Sequence, residues 1–299
     1  MKRSMIALPV LSGAMFGAAG VFVRHLNAAG MSGPTVLFAR TLFATVFMLA
    51  FLLATDRSKL RVSPRDLPIF LGTGPLGMMA LNICYNEAIA RLSLSFAAVL
   101  LCTAPVFVMV FSSVVFHERV TARKVTCMLL AIVGCVLVSG LVEQGGVAVS
   151  PAGVAFGVAS AIFLALYSMF SRLATDRSYY TYTVVLYSVA LTTVCVLPVS
   201  SAGAVGSYLV QEGLPGLLYL SLHGLVTSVL PYVFLTSALQ HVDPSMVSIL
   251  SSGTEPVSAM VFGAVLFAEQ PTALMLVGIA VSVAALVVLT RQPKSEAGE

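Results

Sequence analysis

The chain has 299 residues, 59% of them apolar and 9% charged, and a mean hydropathy of +1.00. Its 16 basic and 12 acidic side chains are too few to coat a water-soluble core of this size, since an ordinary soluble domain is about 25% charged. Soluble enzymes, nucleic-acid binders and disordered scaffolds are excluded. The net charge of +4 then matters through where each cation falls along a membrane protein.

Apolar runs of about 20 residues, each able to cross roughly 30 Å of hydrocarbon, predict ten helical spans. They cover 5–24, 34–54, 67–88, 94–116, 123–141, 151–172, 180–200, 215–237, 244–267 and 272–290. Helices satisfy their own backbone in lipid, and the alternation expected of a membrane barrel is absent. The first run follows Met1-Lys2-Arg3 and imitates a secretory leader. It continues to Val23, however, and its Gly13-xxx-Gly17 spacing recurs as Gly153-xxx-Gly157 in the sixth run, so it is read as a retained helix.

The basic residues then divide by side. Lys2, Arg3, Arg57–Arg65, Arg119–Lys124, Arg172, Arg177, Arg291 and Lys294 fall on one face, and only Arg24 and Arg91 on the other, with Arg40 inside the second span. That bias predicts a membrane protein with both termini cytoplasmic. The five cysteines all sit in apolar runs without CxxC spacing and read as small buried hydrophobes.

Residues 105–121 (PVFVMVFSSVVFHERVT) and 256–272 (PVSAMVFGAVLFAEQPT) match at nine of seventeen positions with a constant offset of 151. A duplication of five spans is odd, so the second copy must enter the membrane upside down. Glu118 accordingly falls on the cytoplasmic side and Glu269 on the external side. Inverted repeats are a signature of secondary transporters, because two near-equal halves give two near-equal conformations. The fold expected is an all-α polytopic membrane protein of ten helices as two inverted five-helix repeats, dividing into 1–146 and 147–299.

At these residues the chain resembles the drug/metabolite transporter superfamily, in its ten-helix EamA-type branch. The motif is Pro-x12-Glu followed by a glycine-bearing helix, seen as Pro105…Glu118 with Gly134 and as Pro256…Glu269 with Gly278. The resemblance covers the whole chain and implies alternating-access export. Within the superfamily the chain is similar to bacterial exporters of amino acids, including the aromatic amino-acid type. Relatives often carry Trp in the first and sixth helices; this chain has none, so cavity aromatics must be Tyr or Phe.

Several residues are candidates for the substrate cavity. Pro105 and Pro256 fall near the centres of their spans, where each removes one N–H and frees the carbonyl four residues earlier, at Leu101 and Ser252. Ser251, Ser252, Gly253, Thr254 and Glu255 form a polar stretch beside Pro256. Glu255 is the carboxylate placed nearest mid-membrane, where it must pair or carry its proton; it fits a substrate-amine site, a proton site or a structural group on the broken helix. Arg40 fits a partner for Glu255, a substrate-carboxylate site or a snorkelling cation. Asn82, Tyr85 and Asn86 share one helical face, and span eight offers His223, Thr227, Ser228, Pro231 and Tyr232. Tyr179, Tyr180 and Tyr182 read as an interfacial belt.

The four histidines lack metal-ligand spacing, so neither metal nor cofactor is expected. The partners expected are a small-molecule substrate and membrane lipid, without nucleic acid, and a homodimer is left open. The leading function is export of small amphipathic metabolites, with neutral or aromatic amino acids as the class the resemblance implies. A multidrug or organic-cation exporter is the alternative within the class, and an intramembrane enzyme or a channel lies outside it.

Overall fold

The computed structural model describes residues 3–92, 94–144, 150–268 and 270–290. Glu269 of the second motif, the boundary at residue 146, and Lys2, Arg291 and Lys294 of the charge count lie outside them. All ten predicted spans are helical. Span 1 is Arg3–Gly17 with Ala19–Ala28, span 2 Gly33–Thr55, and span 3 Leu67–Leu71, Gly72–Met79 and Ala80–Ile89. Span 4 is Leu94–Leu101 with Ala104–Val115, span 5 Ala122–Val138, span 6 Pro151–Asp176 and span 7 Thr181–Val196. Span 8 lies within Ala202–Gly224, Leu225–Val229 and Leu230–Leu239, span 9 is Pro244–Phe267 and span 10 Ala273–Thr290. Nine helices of the described residues are long and apolar enough to cross a membrane. The tenth, span 5, has 17 residues and reaches about 26 Å at 1.5 Å per residue.

The most extensive contacts between spans survive exchange of the halves. Span 1 packs on spans 8 and 9, and span 6 on spans 3 and 4; span 2 packs on 7 and 8, and span 7 on 2 and 3; span 5 packs on span 10. Exchanging 1 with 6, 2 with 7, and so on reproduces the same set. The repeat also reaches the backbone. Gly72–Met79 of span 3 and Leu225–Val229 of span 8 both adopt π-helical turns, and the offset of 151 maps the first onto 223–230. Such turns are rare and concentrate at functional sites.

Three sequence expectations need correction. Residues 202–212, expected to be loop, are helical, with Ser201 capping them through its hydroxyl to the Ala204 N–H. At Gly213 the backbone takes φ 58°, ψ −133°, a conformation open to glycine, and span 8 begins after that break. The two central prolines also differ. Span 4 is broken at Cys102–Thr103 and restarts with Pro105 in its first turn, whereas Pro256 lies inside an uninterrupted span 9. Finally, Cys102, Cys127 and Cys135 are buried as expected, but Cys84 is half-buried and Cys195 exposed; all five are free thiols.

Candidate substrate cavity

Span 1 meets span 9 through small residues. A Cβ on Gly13 would strike the Ser251 carbonyl, and one on Gly17 would strike the Ser258 hydroxyl and lie 2.5 Å from the Glu255 carbonyl oxygen. The absence of side chains there lets the two backbones touch. Ser12 adds a hydrogen bond of 2.9 Å to the Pro231 carbonyl of span 8. Span 1 is thereby anchored to the two spans that carry most of the candidate residues.

Those candidates fall into two layers. The upper layer joins spans 2, 3 and 8. Arg40, 8% exposed, donates from one Nη to Asn82 Oδ1 at 2.7 Å, and Asn82 donates in turn to the Met78 carbonyl. His223 is fully buried, with its ring stacked on Phe22 at 5.0 Å. Gly224 brings span 8 onto span 2; a Cβ there would lie 3.0 Å from the Arg40 carbonyl oxygen.

The middle layer contains Glu255, Tyr85 and Tyr232. Glu255 and Tyr85 are half-buried, and Glu255 interacts electrostatically with both tyrosines. Tyr232 interacts with Arg40 as well, so it links the layers. Its ring packs edge-on against Phe16 at 5.0 Å and Tyr167 at 4.9 Å. Among the described residues neither Arg40 nor Glu255 forms an ion pair, so the structure does not join them to each other. Ser251 and Ser252 are buried, and Thr254 bonds back to the Leu250 carbonyl. Pro105 is buried behind the break in span 4.

A second network was missed from sequence. At the end carrying Arg57–Arg65 and Arg119–Lys124, here termed the basic end, the halves are tied across. Lys124 Nζ lies 2.5 Å from Glu118 Oε1 and 2.9 Å from Asp243 Oδ2. Ser112 and Ser245 hydroxyls meet at 3.1 Å. Asp66 accepts from Tyr179 at 2.6 Å and pairs with Arg177, while Tyr187 donates to the Leu60 carbonyl at 2.8 Å. The tyrosine cluster therefore ties the halves, and with Ser237 and Gln240 it lines a cavity of about 360 Å³. The motif glutamate Glu118 was the available signal; Asp243, a residue before the proline that opens span 9, carried none. At the opposite end the cross-half bonds among the described residues are fewer, from the Ser201 N–H to Thr35 Oγ1 and between His25 and Tyr208.

Ten spans in two inverted halves, with polar groups facing each other inside the bundle, define a multi-pass membrane transporter. The EamA-like transporter family matches residues 3–140 and 151–291, one match for each half, and the chain belongs to that family. The family is one of transporters and not of enzymes. The pseudopaline exporter CntI of Pseudomonas aeruginosa is 27% identical over 296 residues, covering 98% of each chain. A transporter of Archaeoglobus fulgidus is 27% identical over 95% of each. A crystal structure sharing 19% identity over 97% of both chains superposes with a TM-score of 0.78, showing the same fold.

Proposed function

We propose that this chain is an inner-membrane exporter of small zwitterionic metabolites, with neutral and aromatic amino acids as the substrate class. It works by alternating access between halves 1–146 and 147–299. The observation that carries the reading is that Arg40, buried on span 2, and Glu255, half-buried on span 9, carry opposite charges inside the bundle. Neither has an ion-pair partner among the described residues. A zwitterion supplies both partners, with Tyr85, Tyr232 and nearby aliphatic residues as the apolar lining for its side chain. Burial of an apolar side chain yields roughly 25 cal/mol per Å² and distinguishes similar side chains by only about 1–3 kcal/mol, so broad specificity is expected.

The 13-to-2 division of basic residues supports cytoplasmic termini and makes the basic end the cytoplasmic one. In that orientation the cross-half ties close the cytoplasmic side. Two relatives named as pseudopaline exporters support the export direction.

Counterflow in proteoliposomes tests the substrate class. Preloaded phenylalanine or leucine should drive uptake of the labelled amino acid; exchange of sugars alone would reject the class and keep the fold. An organic-cation exporter is the second reading, favoured by Glu255 lacking a basic partner among the described residues. Exchange of quaternary ammonium ions without amino acids would select it.

A further inference from the structure

Six buried side-chain atoms of the described residues lack a hydrogen-bond partner: Arg40 Nε, His223 Nε2, and the hydroxyls of Ser171, Thr192, Ser228 and Ser282. A helical hydroxyl reaches its own i−4 carbonyl by a small rotation. A guanidinium edge and an imidazole nitrogen have no such local outlet, and in lipid there is no bulk water to serve them. These two belong to neighbouring residues of the upper layer. Gly224 seats the backbone beside His223 against Arg40, and the Arg40 charge acts on the His223 ring.

Their hydrogen-bonding roles are opposite. Thr227 donates its one hydroxyl proton to the His223 carbonyl at 2.7 Å, and its oxygen lies 3.1 Å from His223 Nδ1. With the hydroxyl proton so used, the Thr227 oxygen can only accept from the ring, which assigns the proton to Nδ1 and leaves a lone pair on Nε2. Arg40 Nε carries a proton, so the two contacting spans carry one unused donor and one unused acceptor. A bare carboxylate satisfies the donor and is repelled by the lone pair. A carboxylate together with one proton satisfies both: one oxygen accepts from Arg40, and the added proton on Nε2 is donated to the other oxygen.

We propose that Arg40 and His223 form a proton-linked carboxylate site, in which a substrate carboxylate binds together with one proton carried on His223 Nε2. The balance is one carboxylate and one proton taken up, and both released when the substrate leaves. The proposal rests on the substrate reading above only for the carboxylate; the amine partner Glu255 is not needed. The other titratable groups around His223 are His25 on span 1, which contacts Tyr219 and Tyr208, and Glu212, which faces Tyr208. Glu255 lies in the middle layer beyond Tyr232.

The test is calorimetric titration of the purified full chain in nanodiscs between pH 6 and 8.5, in two buffers of different ionisation enthalpy. The probes are phenylalanine, 3-phenylpropionate, which lacks the amine, and phenethylamine, which lacks the carboxylate. Each carboxylate should bind with uptake of about one proton, weakening about tenfold per pH unit as pH rises above the free-state pKa of His223. His223→Gln should abolish the uptake, His25→Gln should keep it, and Arg40→Gln should abolish 3-phenylpropionate binding while sparing phenethylamine. Carboxylate binding without proton uptake would overturn the proposal, as would uptake that persists in His223→Gln or a failure of 3-phenylpropionate to bind. If His223→Gln does not fold, carboxylate binding without proton uptake by the unaltered protein still overturns the proposal, and His223→Asn serves as the second variant. Proton-linked binding of 3-phenylpropionate with none of phenylalanine would leave this site standing and remove the amino-acid reading.

Discussion

Cys102 donates its thiol to the Ser252 carbonyl across 3.9 Å, and that carbonyl is the one Pro256 deprives of its helical N–H. The break in span 4 thus supplies a partner for the defect in span 9, and both meet where the halves face each other. Cys102 is 9% exposed, so a thiol reagent reaches it only when spans 4 and 9 part. With the other four cysteines replaced, labelling of Cys102 by a small maleimide should be slow and should change with substrate. Immediate labelling indifferent to substrate would mean that this contact does not move during transport.

The Lys124 network should hold the basic end shut. Glu118 is 7% exposed and Lys124 14%, so Lys124→Ala strands a shielded carboxylate, costing about 1–3 kcal/mol. Asp243 is 60% exposed, and its loss should cost at most about 1 kcal/mol. A cysteine at Ser245, bonded to Ser112 in the closed end, should be labelled from the basic side about tenfold faster in Lys124→Ala and little faster in Asp243→Asn. Equal rates in both variants would remove the network from gating.

Gly17 is the tightest approach of span 1 to span 9. Gly17→Leu must force a side chain into the Ser258 hydroxyl and the Glu255 backbone, and overpacking of this kind costs about 1–3 kcal/mol. The midpoint of thermal unfolding in detergent should fall by several degrees, and transport should fall with it. Gly20→Leu, with nothing within 4 Å of its Cβ position, is the control that should leave both intact.

Much of this was legible in the chain, for particular reasons. Ten apolar runs announce themselves because lipid demands continuous helices, and nine identities at one offset reveal the repeat. Asn82 and Arg40 were separate candidates on different spans; that they bond depends on how spans 2 and 3 cross, which no one-dimensional pattern records. Pro105 and Pro256 look alike in sequence. They differ because a proline is tolerated in a helix's first turn, whereas the interior one needs an outside donor for its orphan carbonyl, here a cysteine of the other half. The helix over 202–212 was hidden by its short length and by glycines at 203, 206 and 213, which read as loop.

Orientation follows from the basic residues alone and is open to direct test. Reporter fusions after residues 60, 120 and 175 should be active as cytoplasmic reporters, and fusions after 146 and 206 as external ones. A C-terminal fusion that reads external would overturn the assignment of the basic end to the cytoplasm.

Glu255 distinguishes the two ends of a zwitterion. It acts electrostatically on Tyr85 and Tyr232, and its backbone carbonyl accepts from Ser258 at 2.9 Å; its carboxylate has no ion-pair partner among the described residues. Replacing it by Gln keeps the shape and removes the charge, so span 9 should insert unchanged. A charge-assisted hydrogen bond contributes about 1.5–3 kcal/mol, which predicts a loss of roughly 10- to 150-fold in transport efficiency for substrates bearing an ammonium group. 3-Phenylpropionate, without that group, should be affected less than threefold. The split between the two substrates is the informative measurement. A uniform loss would make Glu255 a structural or proton-carrying group, and undiminished flux of both would remove it from the mechanism.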